Sequence, residues 1–318
     1  MTTTLVVLGG TQRLRRADRE LLVLAGGLGG THAVVPGAPG QELLDALAAH
    51  GTAAVHVPAG EPDDRLTTPL TALTEAAARA CAADAVLLSA TPEATDVAAR
   101  LGVRLEAGVV TDVVALDAQL TATKQVLAGG WTTRCRARGG VLVATVRPHA
   151  VELPDPAPPA GEPAGRPALR RHELTDGAPA ARIVGRDPLP PTGRPSPAEA
   201  RVVVAGGRGT GGDFGPLEEL ADVLGAAIGA SRAAVDAGWI GPEAQIGQTG
   251  LTVSPQLYVS CGISGALQQR AGMQTAKVVV AVNKDPQAPV FEIADLGVVG
   301  DLRTVLPQAA AHLRRLRS

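Results

Sequence analysis

Aromatic side chains are almost missing from this chain of 318 residues: two Trp, two Phe and one Tyr are the whole set. With so few rings there is no stacking platform for single-stranded nucleic acid, and the core has to be assembled from Ala, Val, Leu and Ile. Cysteine is as scarce. Cys81, Cys135 and Cys261 are odd in number, scattered and in no CxxC pair, which argues against a disulfide framework or a structural zinc site and for a cytoplasmic chain. An excess of either charge is absent too: 29 Lys and Arg stand against 31 Asp and Glu, a net charge of -2. That balance leaves no basic footprint for nucleic acid and no lysine-rich face for anionic lipid. No apolar run approaches the ~20 residues that span a bilayer, and Met1–Leu8 carries no positively charged leader, so neither secretion nor membrane insertion is expected.

What is present is glycine (38) and proline (25), the mark of many tight turns. Over residues 1–150, short β-branched runs alternate with Ala/Leu-rich stretches of helical period. Thr4–Leu8, Leu22–Ala25, Ala53–Val57 and Ala85–Ser89 read as buried strands, Gln41–His50 and Leu70–Ala83 as helices. Strand and helix in alternation predict a mostly parallel sheet with helices on both faces. From Val109 to Arg147 the pattern turns to strands, among them Val113–Leu116 and Val141–Val146, which extend or close that sheet. Residues 151–197 hold twelve of the 25 prolines and read as a linker with at most one short strand, near Ala181–Val184. A second α/β domain is expected over 198–318. Its strands are Arg201–Ala205, Ala227–Ala230, Gln256–Cys261 and Lys277–Val282; its helices are Pro216–Gly225 and one from Asp301 to about Leu316, capped by Asp301 and kinked or restarted at Pro307.

The chemistry concentrates in that second domain. Gly207-Arg208-Gly209-Thr210-Gly211-Gly212 fits G-x-G-x-x-G after a strand and before a helix, the spacing of a dinucleotide fingerprint. The acidic residue that should end the following strand is replaced by Ser231-Arg232, which argues against a standard NAD site. Arg232 keeps its charge at any working pH and suits an electron-rich ligand, or a surface salt bridge. Ile246-Gly247-Gln248-Thr249 is a polar glycine turn, Cys261-Gly262-Ile263-Ser264-Gly265-Ala266 a second, and Asn283-Lys284-Asp285-Pro286 a third. Polar turns after successive strands of one small domain converge on a nucleotide or dinucleotide cofactor. Other templates fail: there is no Walker A sequence, G-x-S-x-G elbow or H-E-x-x-H. The six histidines (His32, His50, His56, His149, His172, His312) are dispersed with no metal-ligand spacing. A cofactor site without acid–base machinery suggests electron transfer rather than bond making.

The runs Gly229-Ala230-Ser231-Arg232, Gly247-Gln248-Thr249-Gly250, Pro255-Gln256-Leu257-Tyr258, Gly262-Ile263-Ser264-Gly265-Ala266, Val282-Asn283-Lys284-Asp285-Pro286 and Gly300-Asp301-Leu302 closely resemble the α subunit of electron transfer flavoproteins. The resemblance is dense from Arg201 to Pro307 and thinner before residue 150, where Ala98–Gly102, Gly108–Val113 and Thr145–Pro148 carry it. It implies a two-domain α/β chain whose second domain is Rossmann-like, of the deoxyhypusine-synthase-like kind, and holds one FAD. It further implies a heterodimer with a β subunit that contains AMP, and a redox carrier with no substrate turnover of its own. Electrons would come from acyl-CoA and related dehydrogenases of fatty acid β-oxidation and pass to a membrane quinone oxidoreductase. By the same resemblance Arg208, Ser231, Ile246, Gly247, Gln248, Thr249, Ser264, Gly265, Ala266, Leu267, Gln268, Gln269, Asn283, Asp301 and Leu302 line the FAD, with Arg232 beside the isoalloxazine and the Thr249 hydroxyl near N5.

One position departs from the family. His is usual after Gln268, and this chain has Gln269, an amide that donates a hydrogen bond but carries no charge. Arg270 is placed to compensate only if it turns toward the ring. The alternative function is a bifurcating or nitrogen-fixation-type relative that oxidises NADH through a second FAD in its partner. A non-redox adenosine-binding scaffold and an NAD dehydrogenase fit the retained Arg232, Thr249 and Asn283 less well.

Overall fold

The computed structural model describes residues 2–60, 64–126, 130–153, 165–174, 180–185 and 193–317. The chain divides into two compact units, one of Met1–Val126 with Trp131–Pro188 and one of Leu189–Ser318 with Leu127–Gly130.

In the first unit the elements run β1 (Thr2–Val7), α1 (Arg16–Leu28), β2 (Gly29–Val34), α2 (Gln41–Ala49), β3 (Thr52–Pro58), α3 (Thr68–Ala80), β4 (Ala85–Ser89), α4 (Pro92–Arg104), β5 (Gly108–Leu116), β6 (Ala122–Val126), β7 (Trp131–Cys135), β8 (Leu142–Val146) and β9 (Ala168–His172). They form one nine-stranded sheet in the order β7-β6-β5-β8-β4-β1-β2-β3-β9. It is parallel except where β6 pairs antiparallel with β5 and β7. Alternation along each strand sends side chains to opposite faces. Val6, Val55 and Leu87 pack under Leu21, Leu22, Leu43 and Leu47 of α1 and α2. Leu5, Val7 and Val86 pack under Leu73, Ala77, Val97 and Leu101 of α3 and α4.

Three local expectations are corrected. Leu22–Ala25 is not a strand but the middle of α1, whose buried positions Asp18, Leu21, Leu22 and Ala25 recur at helical spacing. Helix α4 went unread, although Thr91 caps it by accepting a hydrogen bond from the Ala94 N–H at 3.2 Å and Pro92 opens its first turn. Within the proline-rich stretch the strand is β9, paired parallel to β3, whereas Ala181–Val184 contributes one isolated bridge, Arg65 to Arg182. Much of the remaining proline-rich sequence lies outside the described residues.

The second unit contains β10 (Val202–Gly206), α5 (Gly215–Leu224), β11 (Ala227–Ala230), α6 (Arg232–Asp236), β12 (Leu257–Cys261), α7 (Leu267–Arg270), β13 (Val278–Asn283), β14 (Leu296–Val299) and α8 (Leu302–Arg317). Its five strands are all parallel, in the order β11-β10-β12-β13-β14. Helices α5 and α8 cover one face through Leu217, Leu220, Leu306 and Ala310, and α8 runs through Pro307 without restarting. The opposite face is closed mainly by loop residues, Ile246, Val253, Ile263 and Met273, over Val203, Ala205 and Tyr258. Sequence order reverses between β10 and β12, and the carboxyl ends at such a switch point open a crevice. Among the described residues, no helix is long and apolar enough to cross a membrane.

Candidate functional site

A cavity of about 850 Å³ lies at that crevice, and every residue lining it belongs to the second unit. The turn after β10 supplies Arg208 and Gly209, the turn after β11 supplies Ser231 and Arg232, the turn after β12 supplies Gly262, Ile263 and Ser264, and the end of β13 supplies Asn283. Two glycine turns meet there. Gly209 N–H donates to the Gly262 carbonyl at 2.9 Å and Gly207 N–H to that of Cys261 at 3.0 Å. A Cβ on Gly209 would stand 2.7 Å from the Gly262 Cα, and Gly262 itself has φ +61°. Only glycine permits that approach. The fingerprint therefore serves as a packing turn, opening a short 3-10 turn (Arg208–Thr210) while α5 begins only at Gly215.

Twelve of the sixteen expected positions line the cavity: Arg208, Ser231, Arg232, Ile246, Gly247, Gln248, Thr249, Ser264, Ala266, Gln268, Gln269 and Asn283. Gly265, Leu267, Asp301 and Leu302 do not. Gly265 (φ +78°) packs its backbone against Val290, where a Cβ would come within 2.6 Å, and Leu267 is 71% exposed. Leu302 is buried with α5 and α8. Asp301 caps α8 by accepting the Arg303 N–H at 2.9 Å and pairs with Lys284 at 2.9 Å. The hydrogen bond from Lys284 leads the causes that hold its carboxyl below the usual range.

The lining is tied together through side chains whose chemistry remains usable. Gln245, which sequence reading passed over, donates to the Thr249 Oγ1 at 3.0 Å and so leaves the hydroxyl proton free to donate elsewhere. Asn283 donates to the Ile263 carbonyl at 2.9 Å and accepts the Asp285 N–H at 3.0 Å, strapping two turns to each other. Arg232 meets Asp236 at 3.2 Å, with both side chains more than 60% exposed. An exposed pair of this kind contributes about 0–1 kcal/mol, so the guanidinium is lightly held.

Gln269 is the most informative residue of the wall. Its Nε2 donates to the Tyr258 hydroxyl at 3.0 Å, and its Oε1 is buried without a protein partner. The reversed amide would accept from Tyr258 and present its NH2 group instead. Either way a polar atom at the cavity is left for a ligand, which suits a ring bearing both donors and acceptors. Arg270 does not compensate here: it donates to the carbonyls of Gly265 and Pro289 and pairs with Glu292 at 2.8 Å. The lining offers no His, Cys, Tyr or Lys, and its carboxylates are Asp236 and Asp285. It is a binding surface, short of proton-transfer groups.

The Electron transfer flavoprotein domain matches residues 3–176 and the Electron transfer flavoprotein FAD-binding domain matches residues 198–274. Electron transfer flavoprotein subunit alpha of Mycobacterium leprae is 45% identical over 314 residues, 97% of each chain. The protein of the same name from Mycobacterium tuberculosis is 46% identical over 306 residues, 95% of this chain and 94% of its own. That from Paracoccus denitrificans is 41% identical over 226 residues, 70% of this chain and 71% of its own.

Cys261, next to the β12 turn, is fully buried, and burial pushes its thiol well above the ordinary range. The Tyr258 phenol beside it is raised for the same leading reason. Both groups stay neutral in the folded chain while the unfolded chain ionises them. Their stabilising contribution is therefore complete below about pH 8.5 and is lost progressively above it. Alkylation of the folded chain at pH 8, read by mass spectrometry, should label half-buried Cys135 and spare Cys261 until denaturant is added.

Proposed function

Because the chain belongs to the electron transfer flavoprotein α-subunit family, we propose that it is the FAD-holding half of a heterodimeric electron carrier. It takes electrons from acyl-CoA and related dehydrogenases, passes them to a membrane quinone oxidoreductase, and works in the cytoplasm beside a β subunit that holds AMP. One observation carries this reading: the cavity gathers the polar ends of four parallel strands and a lightly held arginine, while its lining holds no His, Cys, Tyr or Lys and its carboxylates are Asp236, paired with that arginine, and Asp285. Such a wall fits a bound redox group better than a substrate awaiting bond cleavage.

FAD, when bound, supplies the redox chemistry by taking up electrons and releasing them singly. The chain's own residues bind it and set its electrostatics. The packed Gly209 and Gly262 turns would leave room for the bound group beside them, and Ser264 and Asn283, which also line the cavity, would offer it polar contacts. We assign Arg232 to the isoalloxazine, where its fixed charge favours the more negative, reduced ligand. Thr249, oriented by Gln245, offers its hydroxyl proton to the ring. Gln269 offers an amide without a charge, so the electrostatic tuning falls on Arg232.

Mixing the chain and its β subunit with an acyl-CoA dehydrogenase and its substrate should bleach the flavin, while NADH alone should not. Direct bleaching by NADH, with two flavins per heterodimer, would replace this reading with the bifurcating one. Arg232→Ala should lower the flavin midpoint potential by about 60 mV per electron, equivalent to about 1.4 kcal/mol. An unchanged reductive titration would remove Arg232 from the tuning role.

A further inference from the structure

We propose that His32, His56 and Cys81 bind a zinc ion in the first unit, with His172 orienting His56 through a hydrogen bond to its other ring nitrogen. These residues lie far apart in sequence, and the parallel sheet gathers them. His32 is on β2, His56 on β3 and His172 on β9, three adjacent strands. Cys81 follows the last turn of α3, where its N–H donates to the Ala77 carbonyl.

The distances fit a metal. His32 Nδ1 and His56 Nε2 are 3.1 Å apart. Two imidazole nitrogens on one tetrahedral zinc, each at about 2.0–2.1 Å, are about 3.3 Å apart. Cys81 Sγ and the two histidine ligand atoms all lie within 4.8 Å of one another. A short side-chain adjustment would bring sulfur onto the ion. That leaves a fourth position for water.

Tautomers point the same way. His56 is fully buried and its Nδ1 meets His172 Nε2 at 2.8 Å. If His56 Nδ1–H donates to His172, His56 Nε2 carries a lone pair toward His32, the arrangement that an outer-shell partner imposes on a metal-bound histidine. Burial, ahead of the neighbouring His172, His32 and Arg170, pushes His56 down to about 4, and burial likewise lowers His32 and His172. The rings are therefore neutral at pH 7, the form that ligates. Cys81 is the exception: burial raises its thiol, so zinc must displace the proton to solvent as the Zn–S bond forms. Arg170 opposes a cation here and Asp84, on the Cys81 side, favours it. Affinity should consequently fall as pH drops. Soft sulfur with two imidazoles selects zinc over magnesium or calcium.

The test uses the full chain with its β subunit, stripped with a chelator and titrated with Zn2+ against a chromophoric competitor, then with Co2+ as a spectroscopic stand-in. The proposal expects one zinc per α chain, sub-micromolar affinity and a thiolate-to-cobalt charge-transfer band. Cys81→Ser should abolish the band and weaken zinc at least tenfold. His172→Gln should keep the stoichiometry and weaken zinc about 10–100-fold. The flavin content and reduction of both variants should be unchanged, since every residue lining the flavin cavity lies in the second unit. Cys81 and His172 are only half-buried, and far-ultraviolet circular dichroism checks that both variants fold. No zinc uptake by the parent complex, uptake equal to that of Cys81→Ser, or cobalt binding without the thiolate band would each overturn the site and leave a hydrogen-bonded histidine stack.

Discussion

The close approach of two glycine turns at the carboxyl ends of β10 and β12 is the constraint on which the second unit's site depends. Gly209 and Gly262 sit where any side chain would collide with opposing backbone. Their contact fixes the spacing of the turns that carry Arg208 on one side and Ile263 and Ser264 on the other. From there the arrangement propagates through Asn283, which holds Ile263 in place, and through Gln248, whose N–H donates to the Gln268 carbonyl at 2.8 Å. The strand order makes this crevice, and glycine lets it close to the dimensions of a ligand.

An electron carrier has to hold its cofactor, set its potential and leave partners within reach. On the proposed reading these tasks are separate. Holding is assigned to the backbone and polar groups of the cavity, several of which are fixed by hydrogen bonds to each other. On that reading tuning falls to Arg232, whose partner Asp236 competes weakly because both are solvated. Gln269 is anchored on the buried Tyr258. An amide at that point orients a ligand without changing charge with pH, which makes the site's electrostatics less sensitive to protonation than a histidine would.

Much of this was legible in sequence because parallel sheets write their strands as short apolar runs and their binding loops as polar glycine turns. The four turns of the second unit follow that grammar, and the structure brings twelve of the sixteen named residues to one cavity. The exceptions have physical causes. Asp301 lies outside that lining and caps α8, and Leu302 packs in the core with α5 and α8. Gln245 was silent because its role is to hold Thr249, which only the folded turn reveals. Leu22–Ala25 is apolar enough for a strand, and the glycines at 26 and 27 look like its end. The true break is Gly29, at φ +150°, where α1 gives way to β2. The histidine cluster left no trace in spacing, since strand order, rather than sequence distance, sets β2, β3 and β9 side by side.

The most direct measurement is the flavin-to-protein ratio of this chain purified with its β subunit, taken from the visible spectrum and identified after release. The account requires one FAD per heterodimer, lost when Gly209→Val forces the two glycine turns apart. A colourless complex that takes up no added FAD, or full FAD retention in that variant, would contradict it.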